Sequence, residues 1–147
     1  MTLAQLISIM EGVALQQPSV NMVVQNDIYK INSAPSLMYG IFGWTQGQHS
    51  GSVTGMQTYQ FTLFYVDRLT EDQSNLIEVQ SVGCETLGNI LRSLDVYDID
   101  VQDYTIQPFS QRFTDECAGV FVTVSLSVLP TSVCFEEFAD VTDKIIY

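Results

Sequence analysis

The chain has 147 residues, which fits one domain, and its 17 acidic and 5 basic residues give a net charge of −12. Sequence-specific binding of nucleic acid and adsorption to anionic membranes both need a basic surface, so this composition argues against both functions. Charged residues make up only 15% of the chain, below the usual ~25%, and the amide-rich and hydroxyl-rich remainder favours contact with other protein chains.

The first segment, residues 1–18, predicts a short amphipathic helix. Thr2 and Gln5 have the spacing of a capping box, and Pro18 ends the pattern. One apolar stripe runs along this helix: Leu3, Leu6, Ile7, Met10, Val13 and Ala14. Residues 19–36 follow as a connector with short extended pieces.

A predicted pair of strands comes next. Residues 37–45 read as a strand that Gly40 and Gly43 interrupt, which suggests a bulge or a sheet edge. Residues 46–55 are rich in glycine and serine and predict a mobile loop. Residues 56–69 alternate clearly and predict a strong strand. One of its faces is apolar: Tyr59, Phe61, Leu63 and Tyr65.

The longest predicted helix covers residues 70–94. Thr70 and Gln73 repeat the capping-box spacing, and apolar residues then recur every three or four positions. Gly83 and Gly88 lie inside this helix, where each costs about 1 kcal/mol relative to alanine. We expect close approach of the helix to the sheet to compensate for both.

The C-terminal third predicts an acidic link, two strands and a tail. Residues 104–113 follow the link at 95–103, and Pro108 marks this strand as an edge strand because proline cannot donate to a ladder. Residues 118–129 alternate along their whole length. Residues 131–147 show no clean period, but their apolar side chains predict a segment that docks on its own domain or on a neighbour.

This order of helices and hairpins predicts an α+β fold. We expect an antiparallel four-stranded sheet with the N-terminal helix and the long helix packed on one face. Residues 1–130 form a single domain in this interpretation, and residues 131–147 form a C-terminal docking tail.

No pattern in the sequence indicates catalysis, a metal site or a cofactor. Cys117 follows Asp115 and Glu116, whose negative charge disfavours a reactive thiolate. The only histidine, His49, falls in the predicted loop, and one histidine with three scattered cysteines does not form a zinc set. The acidic link at 95–103 lacks the glycine and terminal glutamate of a calcium-binding loop. We therefore expect a protein that is not an enzyme.

The chain also lacks the sequence features of export or membrane insertion. Its first residues do not combine a basic start with a long apolar run, and no stretch approaches 18 consecutive apolar residues. Three cysteines without a CxxC pair favour reduced thiols in a cytoplasmic setting.

Aromatic residues exceed what one face of a sheet needs, and aromatic residues are enriched where protein surfaces meet. The alternative is a well-filled core under a sheet that is covered on both faces. The candidate interface residues are Phe42, Trp44, His49, Phe64, Phe121, Phe135, Phe138 and Tyr147.

Two stretches carry a family resemblance: FTLFYVDRLTEDQSNLIEVQSVGCETLGNILRSL, and YTIQPFSQRFTDECAGVFVTVSLSVL after it. The chain resembles the tail-terminator or tail-completion proteins of tailed bacteriophages, most of all those of Bacteroidales phages and the crAss-like group. The shared pattern is a strand ending at residues 65–69, a long helix, and residues 113–120 opening the last strand. The resemblance covers about residues 20–138, and its motifs are structural.

The resemblance implies a structural virion protein that assembles in the host cytoplasm into a homo-oligomeric ring of the neck or tail. It implies contacts with adjacent ring proteins, passage of DNA without sequence-specific binding, and no catalytic residue. A head–tail connector or stopper ring is the nearest alternative. A small-molecule binding module between helix and sheet is the alternative from another functional class.

Overall fold

The computed structural model describes residues 1–27, 30, 39–53, 55–112 and 116–130, with only the backbone of residues 111 and 112. The predicted docking tail, residues 131–147, lies outside the described residues, as does Asp115. The described elements are, in chain order, α1 (Leu3–Leu15), β1 (Met22–Gln25), β2 (Ile41–Gly51), β3 (Gln57–Arg68), α2 (Leu76–Leu94), β4 (Asp100–Val101), β5 (Ile106–Arg112) and β6 (Glu116–Val128).

The strands form one mixed sheet in the order β1–β2–β3–β6, with β4 and β5 both paired to the far edge of β6. β1 runs parallel to β2, and all other pairs are antiparallel. The α+β class is confirmed, but the predicted four-stranded antiparallel sheet is wrong in strand number and in the direction of β1. The additional strands, β1 and β4, are four and two residues long, too short for alternation to reveal them.

Both helices pack on the same face of the sheet, as the sequence predicts. The core between helices and sheet includes Leu6 and Met10 of α1, Leu87 and Ile90 of α2, Phe61 and Leu63 of β3, and Val122 and Val124 of β6. These residues recur at helical spacing in the helices and at alternate positions in the strands. The apolar side of each helix therefore faces the apolar side of the strands, and together they form one core layer.

Capping confirms the predicted start of α1 and corrects that of α2. The backbone N–H of Gln5 donates to Thr2 Oγ1 at 3.2 Å, and that of Thr2 donates to Gln5 Oε1 at 2.8 Å. The predicted capping box at Thr70 is wrong, because α2 begins at Leu76. The positive φ of Gln73 (56°) interrupts helical backbone there.

The predicted mobile loop at 46–55 is mostly strand. β2 continues to Gly51, which pairs with Gln57, and a bulge lies between Gln46 and His49. The side chains of residues 46–51 are exposed, so no apolar face marks this part as a strand. An exposed hairpin strand and a mobile loop can both consist of glycine and polar residues, so composition alone does not distinguish them.

The two glycines inside α2 have different surroundings. A Cβ at Gly83 would lie 2.7 Å from Val120 Cγ2 and 3.0 Å from Tyr65 Cδ1, so the predicted close approach to the sheet is confirmed there. At Gly88 the nearest atom is Arg92 Nη1 of the same helix, at 3.3 Å. The prediction of close approach is therefore wrong for Gly88.

Candidate functional site

Three of the candidate interface aromatics lie inside a single chain. Phe42, Trp44 and Phe64 are 0%, 6% and 2% exposed, so their side chains cannot supply a subunit contact. Phe42 and Trp44 belong to the core under the helices, and Phe64 belongs to a second cluster on the opposite face of the sheet. The two-sided core that the sequence left open as an alternative accounts for these three residues.

The other candidate residues have different environments. His49 is exposed on the hairpin arm, where its ring stacks on Tyr59 at 4.4 Å and its Nε2 lies 2.8 Å from Gln57 Oε1. Phe121 is half-buried beside Phe109, with ring centroids 6.2 Å apart. Phe135, Phe138 and Tyr147 lie outside the described residues.

The sheet face opposite the helices has an apolar part and an uncharged polar part. The apolar part is the cluster of Val24, Ile41, Phe64, Val66 and Cys117. In the polar part, cross-strand hydroxyl pairs join Thr58 to Ser127 at 2.8 Å and Thr62 to Thr123 at 3.3 Å. Gln60 and Ser125 form the pair between them.

The outward side of α1 is uncharged and has no partner among the described residues. Glu11 is the only charged side chain of α1, and it accepts two hydrogen bonds from Gln25 Nε2, both at 2.8 Å. The exposed residues of this helix are Ala4, Gln5, Ser8, Gly12 and Leu15. A helix with so little charge on any side is typical of one that packs on two sides.

A shallow hollow of about 460 Å³, which we call the α1 hollow, lies on the first turns of this helix. Its lining residues are Met1, Ala4, Gln5, Ser8 and Ile9. They carry no ionisable side chain, and the one charge beside them is the Met1 ammonium, which donates to the Leu129 carbonyl. An apolar group can therefore contact the side chains of the α1 hollow without burying a charged side chain.

The α1 hollow lies at the end of the molecule where other apolar side chains are exposed. The Met1 amino group donates to the Leu129 carbonyl at 2.9 Å. Val128 pairs with Gln57 at the end of β3, beside the hairpin loop. Val53 in that loop is fully exposed, and Leu129 is 65% exposed. We call this region the apolar end.

Part-buried hydroxyl groups join the sheet to α2 and to the segment between α1 and β1. Tyr65 donates its hydroxyl proton to the Ser19 carbonyl at 3.3 Å, and Ser19 Oγ lies 2.6 Å from Thr86 Oγ1. Burial, reinforced by the Asp67 carboxylate, raises the pKa of Tyr65 to about 12. These contacts lie between packed elements, so they hold the fold together and do not face a ligand.

The cysteine considered as a reactive thiol lies inside the fold. Cys117 is 0% exposed, and its Sγ lies 3.5 Å from the Tyr39 hydroxyl. Within the described ranges, histidine, cysteine and acidic side chains nowhere gather in threes around a possible metal position. Neither α1 nor α2 has the length and apolar character needed to cross a bilayer.

One open groove could receive a small molecule. Its volume is about 460 Å³, and it lies between the end of α2 and the link from β4 to β5. Charged and aromatic side chains line it, among them Arg92, Asp95, Asp103 and Tyr104.

The outward side of α1 was not among the sites predicted from the sequence, although its signal, one charged residue in a 13-residue helix, is present in the sequence.

The chain matches no protein-family model and no curated protein.

Proposed function

We propose that this chain is a non-enzymatic structural subunit that assembles as a homo-oligomeric ring in the neck or tail of a tailed-phage virion. The observation that carries the proposal is the uncharged outward side of α1 on a chain of net charge −12. Like charge repels a second copy from an acidic surface, and that repulsion is weakest where charge is absent. This side of α1 is therefore the surface on which another copy can pack.

The sheet edges favour contact through helices over a continuous sheet. β5 pairs only with β6 among the described strands, and Pro108 removes a donor in the middle of this edge. On the other side, β1 covers β2 only as far as Trp44, and the bulge after Gln46 distorts the rest of that edge. Proline and bulges both block the addition of strands.

The charge distribution suits a passage for DNA. The polar part of the outer sheet face carries hydroxyls and amides, among them those of Gln60, Thr62 and Thr123. Such a surface offers no cation to hold phosphate, and the net charge of −12 repeated around a ring repels the duplex. DNA could then slide past without sticking. The resemblance of residues 20–138 to tail-terminator proteins points to the same function.

The first test is the mass of the purified full chain. Native mass spectrometry and electron microscopy at virion-like concentration should show closed rings of one copy number. Monomer alone under these conditions would contradict the proposal.

The second test is the position of the chain in an intact particle. A neck reconstruction should place it as a ring next to the tail, as expected of a terminator. A position next to the portal would instead assign it to the connector or stopper ring.

The groove beside Arg92 favours one function of another class, the binding of a small molecule. Its mixed charges and aromatic wall are typical of a site for a small polar ligand. A thermal-shift screen against metabolites tests this alternative. A specific ligand whose effect disappears in Arg92→Ala would favour the binding module.

A further inference from the structure

The α1 hollow lies where the described chain ends. The Met1 amino group, on the rim of the hollow, bonds the Leu129 carbonyl at 2.9 Å. Residues 131–147 therefore start beside the hollow of their own copy.

The end of β6 points away from the rest of α1 in the same copy. β6 runs towards the apolar end and finishes at Val128, whereas α1 starts at that end and runs back. Pro130 favours extended backbone at Leu129, which prolongs the direction of the strand. A fully extended segment of this length spans about 55 Å, enough to reach an adjacent subunit.

The composition of the segment matches the α1 hollow. It holds five large apolar residues, Phe135, Phe138, Ile145, Ile146 and Tyr147, and uncharged side chains line the hollow of about 460 Å³. The segment also holds four acidic residues, Glu136, Glu137, Asp140 and Asp143. The first turn of α1 has no acidic side chain, and the Met1 ammonium lies beside it, so this end of the helix is positive and attracts carboxylates.

We infer that residues 131–147 of one copy dock in the α1 hollow of the next copy and so link neighbouring subunits. This inference rests on the proposed ring. The contact is heterologous, because a segment on one copy meets a hollow on the other, and such contacts form a ring when the rotation between successive copies closes.

A disulfide experiment on the full chain tests this contact. Cys134 lies in the segment and serves as a native probe, and Ser8→Cys places a thiol in the α1 hollow. Cys84→Ser removes the exposed cysteine of α2. Mild oxidation should give covalent chains joined through Cys134 and position 8, as shown by non-reducing gels and peptide mapping.

The matched control is Ser110→Cys in the same background. Ser110 is exposed on β5 and pairs with Ala118, at the opposite end of β6 from Val128. We expect several-fold less cross-linking at this position. Equal cross-linking at both positions would overturn the inference.

The other possible outcomes distinguish a failure of this inference from a failure of the proposed ring. Cross-linking within one copy would show that the segment fills its own hollow, and a bond between two copies at position 8 would show that α1 meets α1. Either result, or rings without any cross-link to position 8, overturns the inference and leaves the ring. A full chain that stays monomeric overturns both.

A second full-chain variant checks the role of the apolar side chains. Phe138→Asp should shift the ring towards monomer, while Thr142→Ser should leave it unchanged. Rings of full stability in Phe138→Asp would contradict the inference.

Discussion

The ring of Phe64 occupies the space that a side chain at Gly43 would need. These two residues are partners across β2 and β3, and a Cβ at Gly43 would lie 2.9 Å from Phe64 Cε1 and closer still to Cζ and Cε2. The glycine lets the ring lie flat over the neighbouring strand. Phe64 is consequently only 2% exposed and belongs to the second apolar cluster, not to a subunit contact.

Substitution of Gly43 tests this packing. Gly43→Ala should lower the free energy of unfolding by about 1–3 kcal/mol, the range for an overpacked core. Moving the ring of Phe64 would disturb its packing in the second apolar cluster, where it is only 2% exposed. Urea denaturation measures the change. Gly12→Ala is the control, because a Cβ there meets nothing within 4 Å, and it should be neutral or stabilising by up to about 1 kcal/mol. Equal effects of the two variants would refute the account.

The glycines of α2 should respond in opposite directions. Alanine favours a helix over glycine by about 1 kcal/mol, but at Gly83 its Cβ would press on Val120 and Tyr65. We expect Gly83→Ala to lower the unfolding midpoint. We expect Gly88→Ala to raise it, since the Arg92 side chain can move aside. A stabilised Gly83→Ala would show that α2 is free to shift from the sheet.

The Tyr65 hydroxyl should make stability depend on alkaline pH. Because the pKa of Tyr65 is about 12 in the folded chain, against an ordinary value of 10.0, the folded state keeps a proton that the unfolded state loses. This contribution to stability is complete below pH 10 and is lost as the pH rises towards 12. Urea midpoints across this range should fall less steeply in Tyr65→Phe. Identical slopes would contradict the assignment.

A charge on the outward side of α1 should weaken assembly without harming the fold. Ala4→Glu places an acid in the first helical turn, where the helix dipole favours it, so the thermal unfolding midpoint of the monomer should not fall. In a subunit contact the same charge would be buried, which weakens the contact. Ala4→Glu should therefore need a higher protein concentration than the wild type to form rings. Ser81→Glu on the exposed side of α2 is the control for added charge. Rings unchanged in Ala4→Glu would place the contact elsewhere.

Much of the secondary structure follows from local signals. The capping box at Thr2 predicts the start of α1, the alternation of β3 and β6 predicts the two central strands, and Pro108 predicts an edge strand. Each signal depends on residues close together in the chain, so the sequence alone carries it.

The candidate site could be predicted from the sequence less well than the secondary structure. Its aromatic residues suggested an interface, but an aromatic side chain on a strand has the same pattern whether a neighbour or its own chain covers it. The lack of charge in α1 was present in the sequence. Its significance depends on the fold, in which α1 buries Leu6 and Met10 and leaves Ala4 and Ser8 exposed.

The sequence by itself determined the α+β class, the central strands, the two helices and the acidic character of the surface. Only the tertiary structure decided the pairing of β1 and β4, the burial of Phe42, Trp44 and Phe64, and which side of α1 the described residues leave exposed. The physical reason is the range of the interactions. Caps and periodicity act within a few residues, whereas burial depends on partners distant in sequence, such as Gly43 for Phe64.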